Sequence, residues 1–163
     1  MLRKCLRMAD RISPETRSKT MSRIRGKNTK PELRVRSLVH RLGYRFRLHR
    51  KDLPGKPDLV LPRHRKVIFV HGCFWHAHAG CVRATRPTSR VEFWDAKLNG
   101  NVARDAATAL ALMEAGWKVL TIWECELKDE VKLTKRLRRF LKTKAPAERG
   151  SAGAKQPRPT AEV

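Results

Sequence analysis

Residues 70–81, VHGCFWHAHAGC, constrain the fold more than any other part of this 163-residue chain. Two cysteines and three histidines fall within twelve positions, and another cysteine, Cys125, follows much later. Thiolates and imidazoles are ligands that zinc prefers, and four of them close a tetrahedral structural site. The segment holds more ligands than one such site needs. The surplus predicts a second role for some of these side chains.

Three cysteines, Cys73, Cys81 and Cys125, are the predicted thiolate ligands of this site. Cys125 follows a predicted strand that we expect to lie beside the strand ending at Val70. His78, three residues before Cys81, is the predicted fourth ligand, and a closed set of three cysteines and one histidine is typical of structural zinc. The alternative is that Cys125 is a small, buried apolar residue.

The charge of the chain is strongly positive and unevenly spread. Lys and Arg number 38 against 15 Asp and Glu, a net charge of +23. Residues 1–51 alone carry 17 basic and 3 acidic side chains, or +14. This asymmetry predicts a polyanionic partner, nucleic acid before an anionic membrane. An arginine-rich coding bias is the alternative, but it would not explain the asymmetry.

The chain contains no run of about 20 apolar residues that would span a membrane. Its first residues lack the long apolar core of a secretory signal. We therefore expect a cytoplasmic protein, associated with the nucleoid when bound to DNA. Thiols stay reduced in the cytoplasm, which favours metal binding over disulfides. The sequence leaves open whether the chain starts at Met1 or at Met8.

The order of predicted elements indicates an α/β fold with a mixed sheet. Residues Thr29 to Glu32 fit a capping box, and Gly43 is placed to end the helix that follows. Predicted helices cover residues 13–25, 29–42, 91–115 (with a joint at 99–100) and 127–142; predicted strands cover residues 44–48, 58–61, 66–70 and 117–123, the last two central. We expect a domain over residues 13–142, a flexible amino terminus over 1–12 and a disordered basic tail over 143–163.

Three side chains are the catalytic candidates. His71 stands where a central strand ends, His76 lies in the loop beyond it, and Asp58 begins the neighbouring strand. A carboxylate there can hold Mg²⁺, and a neutral imidazole can take a proton from water, which suits phosphodiester hydrolysis. The alternatives are an Asp58 that caps a turn and histidines with local hydrogen bonds. Glu32 is explained by the capping box, with a supporting role near the metal as the second interpretation.

Aromatic side chains near the loop predict a contact with DNA. Phe74 and Trp75 are adjacent in an irregular segment where burying both is difficult, and Trp94 lies in a second aromatic stretch. Exposed apolar side chains can insert between base pairs, most cheaply where a mismatch weakens the duplex. The other large aromatics of this region are assigned to the core: Phe93, Trp117 and Trp123.

Taken together, several segments resemble the Vsr family, the very short patch repair endonucleases that nick bacterial DNA at mismatches. They occur in order along the chain: residues 16–21 (TRSKTM), 53–58 (LPGKPD), 70–76 (VHGCFWH), 92–94 (EFW), 101–105 (NVARD) and 116–125 (GWKVLTIWEC). The combination is specific, although no single segment is.

The resemblance implies a restriction-endonuclease-like fold and a nick 5′ to the thymine of a T:G mismatch left by deamination of 5-methylcytosine. It implies that Asp58 binds catalytic Mg²⁺, that His71 and His76 assist, and that Glu32 is an acidic helper. It also places structural Zn²⁺ on the four predicted ligands. The implied partners are mismatched double-stranded DNA and mismatch-repair proteins of the MutL type, and the chain is expected to act as a monomer.

The resemblance further assigns DNA contacts. Phe74, Trp75 and Trp94 match intercalating aromatics of the family. The matching positions that approach DNA around the mismatch are Met21, Ile24, Lys97 and Asn101.

One departure separates this chain from the broader nuclease superfamily. The superfamily places an acid and a lysine on the strand after the Pro-Asp pair, whereas here that place reads Val70, His71, Gly72. We expect the histidines to replace the lysine and the backbone carbonyl of Val70 to replace the second acid as a Mg²⁺ ligand. Two alternatives remain: a nuclease triggered by another mismatch or modified base, and a non-catalytic, zinc-containing module that senses DNA damage.

Overall fold

The computed structural model describes residue 16 and residues 26–143. Three helices and three strands order this part of the chain: α1 (Lys30–Arg41), β1 (Leu59–Leu61), β2 (Lys66–His71), α2 (Val91–Glu114), β3 (Lys118–Trp123) and α3 (Glu130–Lys142). Apart from residue 16, the predicted helix over residues 13–25 lies outside the described residues, as do the predicted amino terminus over 1–12, Met21, Ile24 and the predicted tail beyond residue 143. No described helix is long and apolar enough to cross a membrane.

Within the described residues the sheet has three strands in the order β1-β2-β3. β1 is antiparallel to β2, and β2 is parallel to β3, so that Val70 lies opposite Ile122. The predicted mixed sheet and the central place of β2 are confirmed. The central place predicted for the strand over 117–123 is wrong, because β3 lies at the edge of this sheet. β3 is rich in apolar side chains because helices cover both of its faces, and not because strands pair with it on both sides.

The predicted strand over residues 44–48 is also wrong. Only Arg47 pairs, in an isolated bridge in which Arg47 and Val60 exchange two N–H···O bonds of 2.8 Å. His49 then has a left-handed φ of 46°, which turns the backbone away from β1. Tyr44 and Phe46 pack against the core. The alternating pattern therefore reflects the packing of side chains against the core, without the regular backbone hydrogen bonds of a strand.

The helix ends follow local capping chemistry. Thr29 and Glu32 form the predicted capping box at the start of α1, and Gly43, at φ 85°, follows its end. α2 runs without a break through residues 99–100, so the predicted joint is absent. α3 begins at Glu130 rather than at 127 because Asp129 accepts a 3.0 Å hydrogen bond from the Lys132 amide and acts as its N-cap.

The core lies on both faces of the sheet. α1 and α3 cover one face, where Ile68 and Ile122 meet Leu137. α2 covers the other face, where Val67 packs with Leu112. Neighbouring residues of β2 therefore point to opposite cores, as the period of a strand requires. This packing leaves the carboxyl end of β2 open between α1 and α2.

A buried lysine ties β2 to α3. Lys66 is 1% exposed, and its Nζ donates hydrogen bonds to the carbonyl oxygens of Leu141 (2.7 Å) and Thr143 (2.6 Å). Burial lowers the pKa of this ammonium group, and nearby Lys118 lowers it further. The end of a helix carries unpaired carbonyls and a partial negative charge, which an ammonium group satisfies. Lys66 thus replaces a C-terminal cap for α3.

We expect Lys66→Met to lower the free energy of unfolding by about 1–3 kcal/mol, because it leaves buried carbonyls of α3 without a donor. Urea unfolding measures this change. Lys142→Met, at an exposed position of the same helix, is the matched control and should change stability far less. Equal unfolding midpoints for the two variants would contradict the capping role of Lys66.

Candidate active site and metal centre

A cleft of about 790 Å³ opens at the carboxyl end of β2. It lies between the start of α1, the turn before β1 and the middle of α2. The cleft brings together all four predicted catalytic side chains and several that the sequence did not indicate. Its polar lining includes Glu32, His49, Asp58, His71, His76, Arg104, Asp105 and Glu124.

Asp58 stands directly before β1, with its Oδ2 atom 2.8 Å from the donating backbone N–H of Val70. Burial raises the pKa of its carboxyl group to about 6, and the negative charge of Glu32 adds to this rise. The preceding turn approaches α2 closely, since a Cβ at Gly55 would lie 2.3 Å from the methyl group of Thr108. This contact explains the glycine of the LPGKPD segment. An oxygen ligand whose charge is disfavoured by burial suits a hard divalent cation.

Glu32 caps the start of α1 and also lines the cleft. Its carboxylate accepts hydrogen bonds from the Asn28 amide (3.0 Å), the Thr29 hydroxyl (2.9 Å) and the Arg36 guanidinium (2.8 Å). The capping box is confirmed by two further bonds of 3.4 Å, in which the Thr29 amide donates to the Glu32 carboxylate and the Glu32 amide donates to the Thr29 hydroxyl oxygen. The side chain is 4% exposed and still lines the cleft, so it contributes negative charge near Asp58.

His49 is a cleft residue that sequence reasoning missed. Its Nδ1 atom lies 3.9 Å from Asp58 Oδ1, and its Nε2 atom lies 3.0 Å from the Arg36 guanidinium. Burial and the charge of Arg36 lower the pKa of the imidazole. The left-handed φ of His49 directs its side chain into the cleft. Non-glycine residues rarely adopt this conformation, so the sequence does not predict it at a histidine.

His71 and His76 stack on each other, with ring centroids 3.7 Å apart and planes 11° apart. Both Nδ1 atoms face one carboxylate oxygen of Asp105, at 2.5 Å from His76 and 3.8 Å from His71. Burial, followed by the charge of His76, lowers the pKa of His71 to about 4. His71 is therefore neutral near pH 7. Asp105 orients the ring of His76.

Asp105 was not among the predicted catalytic residues, although a signal for it existed. It lies four residues after Asn101 in a predicted helix, so the two side chains share one helix face. Asn101 in turn donates a hydrogen bond of 2.9 Å to the Trp75 carbonyl oxygen in the loop. The helix face that anchors the loop is the one that carries Asp105.

The four predicted zinc ligands form a single cluster. One ligand atom each from Cys73, His78, Cys81 and Cys125 lies within 4.8 Å of the other three. Cys125 Sγ is 3.4 Å from His78 Nδ1. Burial, with contributions from the neighbouring thiols, raises the pKa of Cys73 to about 12. A thiol with this pKa ionises only when a cation compensates, so the donor set fits a thiolate-bound metal.

The aromatic residues form one cluster beside the cleft. The Phe74 ring lies 5.1 Å from Trp75 and 5.5 Å from Trp94. Phe74 and Trp75 are half-buried, whereas Trp94 is 7% exposed and lies beneath them. Lys97 Nζ stands 5.8 Å from the Trp75 ring.

Phe93 corrects one core assignment, because it is 47% exposed. Its ring stands 4.9 Å from the Arg90 guanidinium carbon and 5.7 Å from Lys97 Nζ. Trp117 is in the core as predicted. Trp123 is half-buried and stacks on the imidazole of His78, at 4.1 Å, instead of filling the interior.

Comparisons with known proteins identify the family of the chain. A family model described as DNA mismatch endonuclease Vsr matches residues 9–83. The chain is 54% identical over 134 residues to the Type II nicking enzyme V.XorIIP of Xanthomonas oryzae, covering 82% of this chain and 98% of that enzyme. It is 46% identical over 127 residues to the DNA mismatch endonuclease Vsr of Escherichia coli, covering 78% of this chain and 81% of that enzyme.

Among solved structures, the catalytic domain of the homing endonuclease I-Bth0305I is similar, with a TM-score of 0.50 and 23% sequence identity. The match covers 69% of this chain and 94% of that domain. It supports the restriction-endonuclease-like α/β fold and nothing more specific. The identity to the two enzymes above, over most of their length, shows that the chain belongs to the Vsr family of DNA mismatch endonucleases.

Proposed function

We propose that this protein is a DNA endonuclease that nicks one strand 5′ to the thymine of a T:G mismatch, in very short patch repair of deaminated 5-methylcytosine. The observation that carries the proposal is the cleft in which Asp58, His71 and His76 converge beside a loop held by the cysteine cluster. The relatives' names, nicking enzyme and mismatch endonuclease, support it. A charge of +23 suits a duplex DNA substrate.

Asp58 and the backbone carbonyl of Val70 are the proposed ligands of catalytic Mg²⁺, with Glu32 contributing charge nearby. Bound Mg²⁺ would polarise the scissile phosphate and offset the charge on the leaving oxygen. The donor set fits because a buried carboxylate beside a second one gains from a cation.

His76 is the proposed general base. The Asp105 carboxylate holds the proton on Nδ1, which leaves Nε2 free to accept a proton from water. The oxygen of that water forms a bond to phosphorus while the bond to O3′ breaks. The leaving O3′ takes a proton from solvent water in the open cleft, so the products are a 5′-phosphate and a 3′-hydroxyl. We propose that the neutral His71 imidazole donates a hydrogen bond to the phosphate.

The aromatic cluster is the proposed mismatch reader. Phe74 and Trp75 lie at its open side, and we propose that they insert beside the weakened base pair while Trp94 supports them. The proposed neighbouring DNA contacts are Lys97, Asn101, Met21 and Ile24.

We propose that the protein acts as a monomer. An asymmetric mismatch has no two-fold symmetry for a dimer to match, so one protomer suffices. The proposed protein partners are mismatch-repair proteins of the MutL type. The proposed location is the bacterial cytoplasm, at the nucleoid when the protein is bound to DNA.

Cys73, His78, Cys81 and Cys125 are the proposed ligands of one structural Zn²⁺. Three thiolates and one imidazole leave no open position for substrate, so the metal would hold the loop rather than act on DNA. The loop carries His76 and the aromatic pair, and its shape is therefore tied to the site.

The direct test is nicking of labelled duplexes that carry one T:G mismatch, with matched T:A controls, in the presence of Mg²⁺. We expect a single nick 5′ to the mismatched thymine. Asp58→Asn should abolish the nick and leave binding largely intact. Asp52→Asn is the matched control, since Asp52 is an exposed carboxylate paired with Arg50 outside the cleft.

Three outcomes would contradict the proposal. Full activity of Asp58→Asn would remove the catalytic assignment. Tight mismatch binding without any nick in the unaltered protein would favour the non-catalytic sensing module. A nick at another mismatch or a modified base, with T:G left intact, would favour a nuclease with a different trigger.

The metal proposal predicts about one tightly held zinc per chain, measured by elemental analysis. Cys125→Ser should lose the zinc and unfold at a lower temperature, because binding free energy of a structural metal is folding free energy. Cys5→Ser is the matched control, since Cys5 is not one of the four proposed ligands and lies far from them in the sequence. Purified protein without zinc, or Cys125→Ser with a full equivalent, would disprove this site.

The reader proposal predicts that Phe74→Ala weakens binding to T:G duplex by about 1–3 kcal/mol, the usual contribution of one stacked aromatic. A fluorescent base analogue beside the mismatch should brighten when the unaltered protein unstacks it, and brighten less with Phe74→Ala. Phe93→Ala removes an exposed ring that borders the cluster at Trp94 without belonging to it, and serves as control. Equal effects of the two substitutions would refute a specific wedge.

A further inference from the structure

The cleft contains a second group of metal-ligating atoms, separate from the cysteine cluster. One nitrogen each from His71 and His76 and one oxygen of Asp105 lie within 4.8 Å of one another. The Nδ1 atoms of the two histidines lie 3.8 Å and 2.5 Å from the same Asp105 oxygen. The stacked rings hold both nitrogens on one side of the cleft.

These separations approach those of ligands on one ion. Zinc lies about 2.0–2.1 Å from histidine nitrogen, so two ligand atoms on a tetrahedral zinc stand about 3.3 Å apart. Rotation of the two rings out of their near-parallel stack would direct both nitrogen lone pairs to one ion, and would bring the 2.5 Å and 3.8 Å separations toward this value. The side chains of His71, His76 and Asp105 are 11%, 27% and 30% exposed, so an ion can reach them.

We propose that His71, His76 and Asp105 form a second, reversible site for an imidazole-preferring transition-metal ion, such as Zn²⁺ or Co²⁺, and that its occupation stops nicking. The inhibitory half rests on the proposed function, because it requires His76 to be the base. The binding half rests on the three side chains alone.

Ligand chemistry separates this site from the proposed Mg²⁺ site. Two imidazoles and one carboxylate suit zinc, cobalt and nickel, whereas Mg²⁺ prefers oxygen ligands in octahedral geometry. Asp58 and Glu124 line the same cleft and offset locally the positive charge that would repel a cation. Three protein ligands leave positions open toward the cleft, unlike the closed cysteine site.

The bound ion would inhibit nicking because it removes the proton acceptor of His76. An ion on Nδ1 of His76 displaces the proton that Asp105 holds there, and that proton moves to Nε2. The nitrogen that would accept a proton from water is then already protonated. His71 is withdrawn from the phosphate in the same step. Mg²⁺ in excess does not restore the reaction, because Mg²⁺ prefers oxygen ligands and does not displace an ion from imidazole nitrogen.

The first test measures binding without activity. Full-length protein carrying its one tightly held zinc is titrated with Zn²⁺ by calorimetry, and with Co²⁺ by visible absorption. We expect one further equivalent in the unaltered protein. Asp105→Ala and His71→Ala should each weaken this second equivalent by at least about 10-fold, since the loss of even an outer partner weakens metal sites 10–100-fold.

His40→Ala is the matched control, because His40 is exposed on α1 and does not line the cleft. It should keep the second equivalent and normal nicking. Each variant must also retain its first zinc, which shows that it is folded. A second equivalent that is absent from the unaltered protein, or unchanged in both cleft variants, overturns the site.

The second test adds Zn²⁺ to the nicking reaction in excess Mg²⁺. We expect activity to fall over the same range in which the second equivalent binds, and to return with a mild chelator that leaves the first zinc in place. Activity that is unchanged or stimulated while the site fills would overturn the inhibitory role. A protein that nicks no duplex would refute the proposed function, whereas the binding test would still decide the site.

Discussion

The parallel pairing of β2 with β3 is the constraint on which the rest of the site depends. It sets His71 opposite Trp123 and so brings the residues that follow both strands to one edge of the sheet. The loop after β2 carries Cys73, and the turn after β3 carries Cys125. A shift of this register by one residue would turn every side chain of β3 to the other face and separate the ligands.

One loop serves two purposes because its ligands alternate. Cys73 and His78 turn toward β3 and the cysteine cluster, whereas His71 and His76 turn toward Asp105 on α2. A structural metal on one side of the loop would fix the imidazoles on the other side to within the tolerance that catalysis needs. Asn101, bonded to the Trp75 carbonyl, holds the same loop from α2. The aromatic residues proposed to contact the mismatch, the proposed base His76 and the proposed zinc site therefore depend on one loop for their positions.

Much of this was readable from the sequence, where local chemistry determines structure. The capping box at Thr29, the central β2 and the four clustered ligands depend on short-range signals or on strong ligand chemistry. Most of the failures are non-local, since residues 44–48 alternate like a strand but pack without pairing. The start of α3 is the local exception, because Asp129 caps the helix through the Lys132 amide. His49 and Asp105 enter the cleft through a left-handed turn and a helix face that only the tertiary fold brings to Asp58 and His76.

The most direct measurement is anomalous diffraction from crystals of the zinc-loaded protein soaked in Mn²⁺, which takes the carboxylate and carbonyl ligands that suit Mg²⁺. Peaks at the zinc edge and the manganese edge locate the two ions independently. We predict zinc among Cys73, His78, Cys81 and Cys125, and manganese on Asp58 at the end of β2. A cysteine cluster without zinc, or manganese that leaves Asp58 empty, would contradict a loop that joins a structural metal to a catalytic one.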